Sequence, residues 1–77
     1  MPELKNQIYA RSIPLSAHDV SEVGQAFGAI THRGRRKALL GRGLAGFVWM
    51  YEMPVSEELT PDQKRIIRDK GLVAYSL

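Results

Sequence analysis

The chain has 77 residues, a formal net charge of +3 and no cysteine. This length allows one domain over residues 1–77, and the lack of cysteine excludes disulfides and the usual zinc and iron–sulfur sites. The longest apolar run, residues 44–51, is far short of the ~20 residues that cross a bilayer, and the first residues are too polar for a signal peptide. We therefore expect a cytoplasmic protein without a membrane span.

The chain begins with a predicted strand, residues 8–13, followed by a helix with a clear start. Ser16 can cap this helix, and Asp19 three residues later gives a variant of the capping box. The apolar residues that follow recur with helical spacing: Val20, Val23, Phe27 and Ile30. Gly24 beside this face indicates close backbone packing, and Gly28 is placed to end the helix.

Residues 35–53 allow two interpretations. They form either one long helix or a strand that turns at Gly41-Arg42-Gly43 and pairs with a second strand over residues 44–51. Three glycines inside a helix would cost roughly 3 kcal/mol, which favours the hairpin.

The last two predicted elements are a helix and a strand. Thr60, Pro61 and Gln63 together form a capping box with proline at the first helical position, and Gly71 suits the end of the helix. Residues 72–77 then alternate as a strand with Val73, Tyr75 and Leu77 on one side. The order strand, helix, strand, strand, helix, strand predicts an α+β, ferredoxin-like domain: a four-stranded antiparallel sheet with both helices on one face.

Three stretches carry a family resemblance. Residues 8–13 read aliphatic, then aromatic, and end in an aliphatic residue; the first helix ends Phe27-Gly28 before Ile30; residues 42–50 read Arg-Gly-Leu-Ala-Gly-Phe-Val-Trp-Met. They are similar to the first-strand, helix and, with one extra residue, third-strand patterns of the RNA recognition motif. The resemblance implies binding of single-stranded RNA on the sheet.

Strand alternation assigns residues to this function. Large aromatic side chains alternate with small and aliphatic ones, and if the helices cover the small and aliphatic face, then Tyr9, Phe47 and Trp49 lie on the open face. Aromatic rings on an open sheet stack on bases, and neighbouring cations contact phosphates. The predicted binding residues are Tyr9, Arg11, Arg35, Arg36, Lys37, Arg42, Phe47 and Trp49.

Two further interpretations stay open for the same residues. The aromatic residues could form the core or a dimer interface, because large aromatics are usually buried. The same surface could instead bind an acidic protein surface, as in a small phage-type regulatory or inhibitory protein or an accessory subunit. The partner is therefore expected to be single-stranded nucleic acid, RNA in preference to DNA, or an acidic protein.

Catalysis is not indicated by any pattern in the chain. No nucleophile motif surrounds the serines, no second histidine–carboxylate pair accompanies His18 and Glu22, and the glycine run from Gly41 to Gly46 lacks the strand, helix and acidic residue of a nucleotide loop. We therefore expect a binding protein rather than an enzyme, with no metal and no cofactor.

Overall fold

The computed structural model describes residues 3–38 and 46–75, and its strands and helices follow the predicted order. The elements are β1 (Lys5–Arg11), α1 (Ala17–Phe27), β2 (Thr31–Lys37), β3 (Phe47–Val55), α2 (Pro61–Lys70) and β4 (Val73–Tyr75). The strands form one antiparallel sheet in the order β2-β3-β1-β4, so β1 and β3 are central, as predicted. The fold is the predicted ferredoxin-like α+β arrangement.

Both helices begin where the capping residues indicate. The Asp19 amide donates to the Ser16 hydroxyl at 3.2 Å, and the Gln63 amide donates to the Thr60 hydroxyl at 3.1 Å. The Gln63 side chain returns a bond from the Thr60 amide at 3.0 Å, which completes the reciprocal capping box. These local side-chain bonds satisfy amides that no helical carbonyl can reach, which is why short sequence patterns located both helix starts.

The helix ends also follow the sequence signals. Gly28 and Gly71 both adopt the left-handed conformation, and the Leu72 amide donates to the Ile67 carbonyl at 3.0 Å. A Cβ added at Gly24 would lie 3.2 Å from Cγ2 of Ile30, which confirms the close packing predicted there.

The segment with two interpretations is a strand pair over its described part. Strands β2 and β3 pair antiparallel, and the Ala38 amide donates to the Gly46 carbonyl at 2.7 Å. The long-helix interpretation is therefore wrong for the described part of residues 35–53. The predicted turn at residues 41–43 lies outside the described residues.

The face of the sheet that the helices cover is the opposite of the predicted one. The buried core joins Tyr9, Tyr51 and Met53 of the sheet to Val23 and Phe27 of α1, and it includes Ile66 of α2. Trp49 packs against this same cluster. The prediction that Tyr9, Phe47 and Trp49 lie on the open face is therefore wrong, although Phe47, at the start of β3, is exposed.

The face of the sheet away from the described helices carries the other set of side chains. Ala10, Val48, Met50 and Tyr75 form a second buried cluster, and the described helices contribute no residue to it. Val73 packs against this cluster on the same side as Tyr75, as the alternation of the last strand predicts.

The full length of β3 explains the reversal. The strand runs to Val55, four residues beyond the predicted end at Tyr51. Over this length one face carries an apolar residue at every position: Phe47, Trp49, Tyr51, Met53 and Val55. The other face carries Glu52 and Pro54 beyond Met50. The continuous apolar face offers the larger area to bury, so the helices pack on it.

Charged side chains tie the two helices together. Lys70 of α2 lies 2.9 Å from the Asp19 carboxylate and 2.8 Å from the Glu22 carboxylate, both on α1. No helix among the described residues is both long enough and apolar enough to cross a membrane.

Candidate nucleic-acid interface

Strand β2 and the start of β3 form a positively charged rim, which we call the basic margin: residues 31–37 with Phe47 and Trp49. Strand β2 is an edge strand, and every side chain it carries is exposed; Gly34 alone is half-buried. It reads Thr-His-Arg-Gly-Arg-Arg-Lys and contains no acidic residue. The helices leave this strand uncovered, so side chains on both of its faces reach solvent.

A bulge shapes this edge. The register with β3 shifts between His32 and Gly34, and Gly34 has φ 95°. That conformation is favourable for glycine because it has no Cβ. Bulges and positive charges on an edge strand discourage pairing with a further strand. The exposed cations of β2 therefore remain available to a ligand.

An arginine and two aromatic rings meet on the helix side of the basic margin. The Arg35 guanidinium carbon lies 4.7 Å from the centroid of the Phe47 ring and 5.7 Å from that of Trp49. Phe47 is 56% exposed, and Trp49 is half-buried. Lys37 lies directly across from Phe47 in the strand pairing. These four predicted binding residues do form one surface, at the edge of the sheet rather than at its centre.

The opposite side of β2 carries two more arginines. Arg33 pairs with Glu52 at 3.6 Å, and Arg36 lies across from the buried Val48. Arg33 and Arg36 line a shallow cleft of about 320 Å³, together with Ile8, Met50 and Arg35. Of the four cations on β2, Arg33 alone pairs with a carboxylate among the described residues, so three charges are left for a ligand.

The remaining predicted binding residues lie elsewhere. Tyr9 is 5% exposed, and burial raises the pKa of its phenol. Arg11 belongs to the contact between β1 and α1, where its Nη1 is buried 3.9 Å from the Asp19 carboxylate. Arg42 lies outside the described residues. The basic margin therefore consists of Arg35, Arg36, Lys37, Phe47 and Trp49 from the predicted set, with Arg33 and His32 added by the structure.

His32, like Arg33, is a residue of the basic margin that the sequence analysis did not assign to binding. Its ring stacks on Trp49, with centroids 5.5 Å apart and an interplanar angle of 28°, and lies 5.2 Å from Tyr51. A histidine in a basic stretch has no sequence signal for stacking, because the contact depends on the register between β2 and β3.

The basic margin offers exposed cations and the rings of Phe47, Trp49 and His32. No group of three histidine or carboxylate side chains in residues 3–38 and 46–75 is placed to hold a metal ion. The chain matches no protein-family model, and comparisons with curated proteins and with solved structures give no significant match.

Proposed function

We propose that this chain is a small module that binds single-stranded nucleic acid, RNA in preference to DNA, on its basic margin. The observation that carries the proposal is the position of Arg35, 4.7 Å from the centre of the exposed Phe47 ring on a strand rich in cations. A single strand presents both groups that such a surface recognises: phosphates for the cations and unpaired bases for the rings.

The charges of the margin suit a flexible polyanion. Arg35, Arg36 and Lys37 are exposed, follow one another along the chain and form no ion pair with a described carboxylate. Neighbouring side chains on a strand point to opposite faces, so these cations reach around the edge of the sheet. A backbone of phosphates following β2 could contact all three.

The rings of the margin suit unpaired bases. Phe47 and the accessible part of Trp49 replace the three-ring surface expected at the centre of the sheet, because Tyr9 is buried. Stacking of a base on an aromatic side chain contributes about 1–3 kcal/mol and depends little on base identity. We therefore expect tight contact with one or two bases and a weak sequence preference.

The test is a fluorescence titration that uses Trp49, the only tryptophan of the chain. Adding a short single-stranded oligouridylate should quench the emission, since a base stacks beside the indole. With three phosphate contacts the affinity should fall about twentyfold between roughly 50 and 200 mM salt. The deoxy strand of equal length should bind more weakly. A chain that gives neither quenching nor a mobility shift at low salt does not bind nucleic acid in this way.

The second candidate is a regulatory or inhibitory protein that docks an acidic protein surface through the same residues. The exposed cations of β2 fit such a partner as well. Purification of the tagged chain from a nuclease-treated extract separates the two functions. A partner protein stays bound after nuclease treatment, whereas proteins bridged by nucleic acid are lost.

A further inference from the structure

His32 lies near one end of the basic margin, and the sequence gives it no role. Its side chain is exposed, and its ring lies against the indole of Trp49. Arg35, which is on β2 like His32, approaches the same indole. The indole therefore has an arginine and an imidazole as neighbours, at 5.7 and 5.5 Å from its ring. The guanidinium is always charged, whereas histidine changes its charge between about pH 5 and 8.

We propose that His32 is a further nucleic-acid-binding residue and that its protonation makes the affinity of the basic margin depend on pH. This inference rests on the proposed function. The imidazolium adds one donor and one positive charge beside Arg35, so a bound phosphate stabilises the protonated ring. Stacking on Trp49 holds the ring in place and is itself stronger for a cation.

The groups around His32 leave its positive charge to the ligand. Arg33 and Arg35 on its own strand are cations, and Tyr51 on β3 faces it with a neutral ring. The Glu52 carboxylate is paired with Arg33 at 3.6 Å. A phosphate that contacts His32 and Arg35 together would relieve the repulsion between the two cations, so binding and protonation favour one another.

The experiment compares the affinity for oligouridylate at about pH 5.5 and pH 8, the range in which histidine titrates. Uracil and the phosphodiester do not titrate there, so a change in affinity belongs to the protein. The wild-type chain should bind about two- to fivefold more tightly at the lower pH, the effect of one added exposed ion pair between the imidazolium and a phosphate.

Two variants of His32 and one control assign the effect. His32→Gln and His32→Phe should both remove the gain in affinity at pH 5.5, and in His32→Phe a ring still lies on Trp49. His18→Gln, at the other histidine of the chain and exposed on α1, should behave as wild type. Persistence of the pH dependence in both His32 variants would overturn the inference.

The outcomes also separate this inference from the function on which it rests. Wild-type protein that binds with equal affinity at both pH values overturns the role of His32 and leaves the proposed function standing. Protein that binds at neither pH overturns both.

Discussion

Phe47 and Val48 are neighbours in sequence with opposite surroundings. Phe47 is 56% exposed at the basic margin, whereas Val48 is fully buried on the other face of β3. The larger side chain therefore contributes less to stability, because burial and not size determines the hydrophobic contribution.

The comparison of Phe47→Ala with Val48→Ala tests this arrangement. We expect Val48→Ala to lower the free energy of unfolding by about 2 kcal/mol, from lost methyl burial and a residual cavity. Phe47→Ala should cost less than that, and urea unfolding of both variants measures the difference. A loss of about 3–5 kcal/mol for Phe47→Ala would show a buried ring and contradict the exposed position.

Tyr51 carries a buried hydrogen bond that a second substitution tests. Its hydroxyl accepts from the Leu15 amide at 2.8 Å, which fixes the approach to α1. Tyr51→Phe leaves that amide without its acceptor and should lower the free energy of unfolding by about 1–3 kcal/mol. The matched control is Tyr9→Phe, since the Tyr9 hydroxyl has no hydrogen bond to the described residues. Equal losses in thermal unfolding would contradict the assigned role of the Tyr51 hydroxyl.

Residue-level prediction succeeded where the signal was local. The caps at Ser16 and Thr60 and the glycine ends depend on side chains within a few positions, and the structure confirms them. The face assignment of Tyr9 and Trp49 was wrong because it depended on the length of β3. Had the strand been extended to Met53 and Val55, its continuous apolar face would have identified the core.

At the scale of elements, α1 and α2 are joined by a network around Asp19. The pKa of the Asp19 carboxyl is lowered mainly by its hydrogen bond with the Lys70 ammonium. The hydrogen bond with Ser16 and the positive charges of Lys70 and Arg11 lower it further. The Glu22 and Asp19 carboxylates raise the pKa of Lys70 in turn. These contacts join one helix to the other, beside the apolar contact of Ile66 with the core.

The lowered pKa of Asp19 predicts a loss of stability in acid. A carboxyl whose pKa is lower in the folded state stabilises the fold above its unfolded pKa, near 3.8. That stabilisation is lost as the pH falls through the pKa of Asp19 in the folded state, which lies below 3.8. The free energy of unfolding should therefore decline below about pH 4, and Asp19→Asn should make the decline shallower. Glu58→Gln, an exposed carboxyl outside the network, is the control; an identical decline in Asp19→Asn and wild type would contradict the prediction.

The position of strand β2 along the chain could not be predicted from the sequence. The segment that the sequence analysis assigned to this strand and its turn covers residues 35–43, whereas the structure has the strand at Thr31–Lys37. Its residues are polar and charged, so they carry no hydrophobic alternation that could locate them. The apolar partner β3 and the Gly34 bulge determine its position, and both act across the sheet.

At the scale of the whole molecule, the buried clusters and the proposed binding surface lie largely in different parts of the fold. Most residues of the buried clusters lie on the helices and the two central strands, while the exposed cations of β2 and the exposed Phe47 lie at one edge. The order of elements and the central position of β1 and β3 were predictable from the sequence. The location of the proposed binding surface was not, because it depends on which face the helices cover.

Charge substitutions at that edge test the central claim most directly. Arg36→Gln with Lys37→Gln removes two exposed cations from the basic margin, and Lys64→Gln with Arg68→Gln removes two from the exposed side of α2. The net charge changes equally, so position alone distinguishes the two proteins. Affinity for single-stranded RNA should fall roughly tenfold or more at low salt in the first variant, with a shallower salt dependence, and stay near wild type in the second. Equal losses in both, or a larger loss in the α2 variant, would contradict binding at the basic margin.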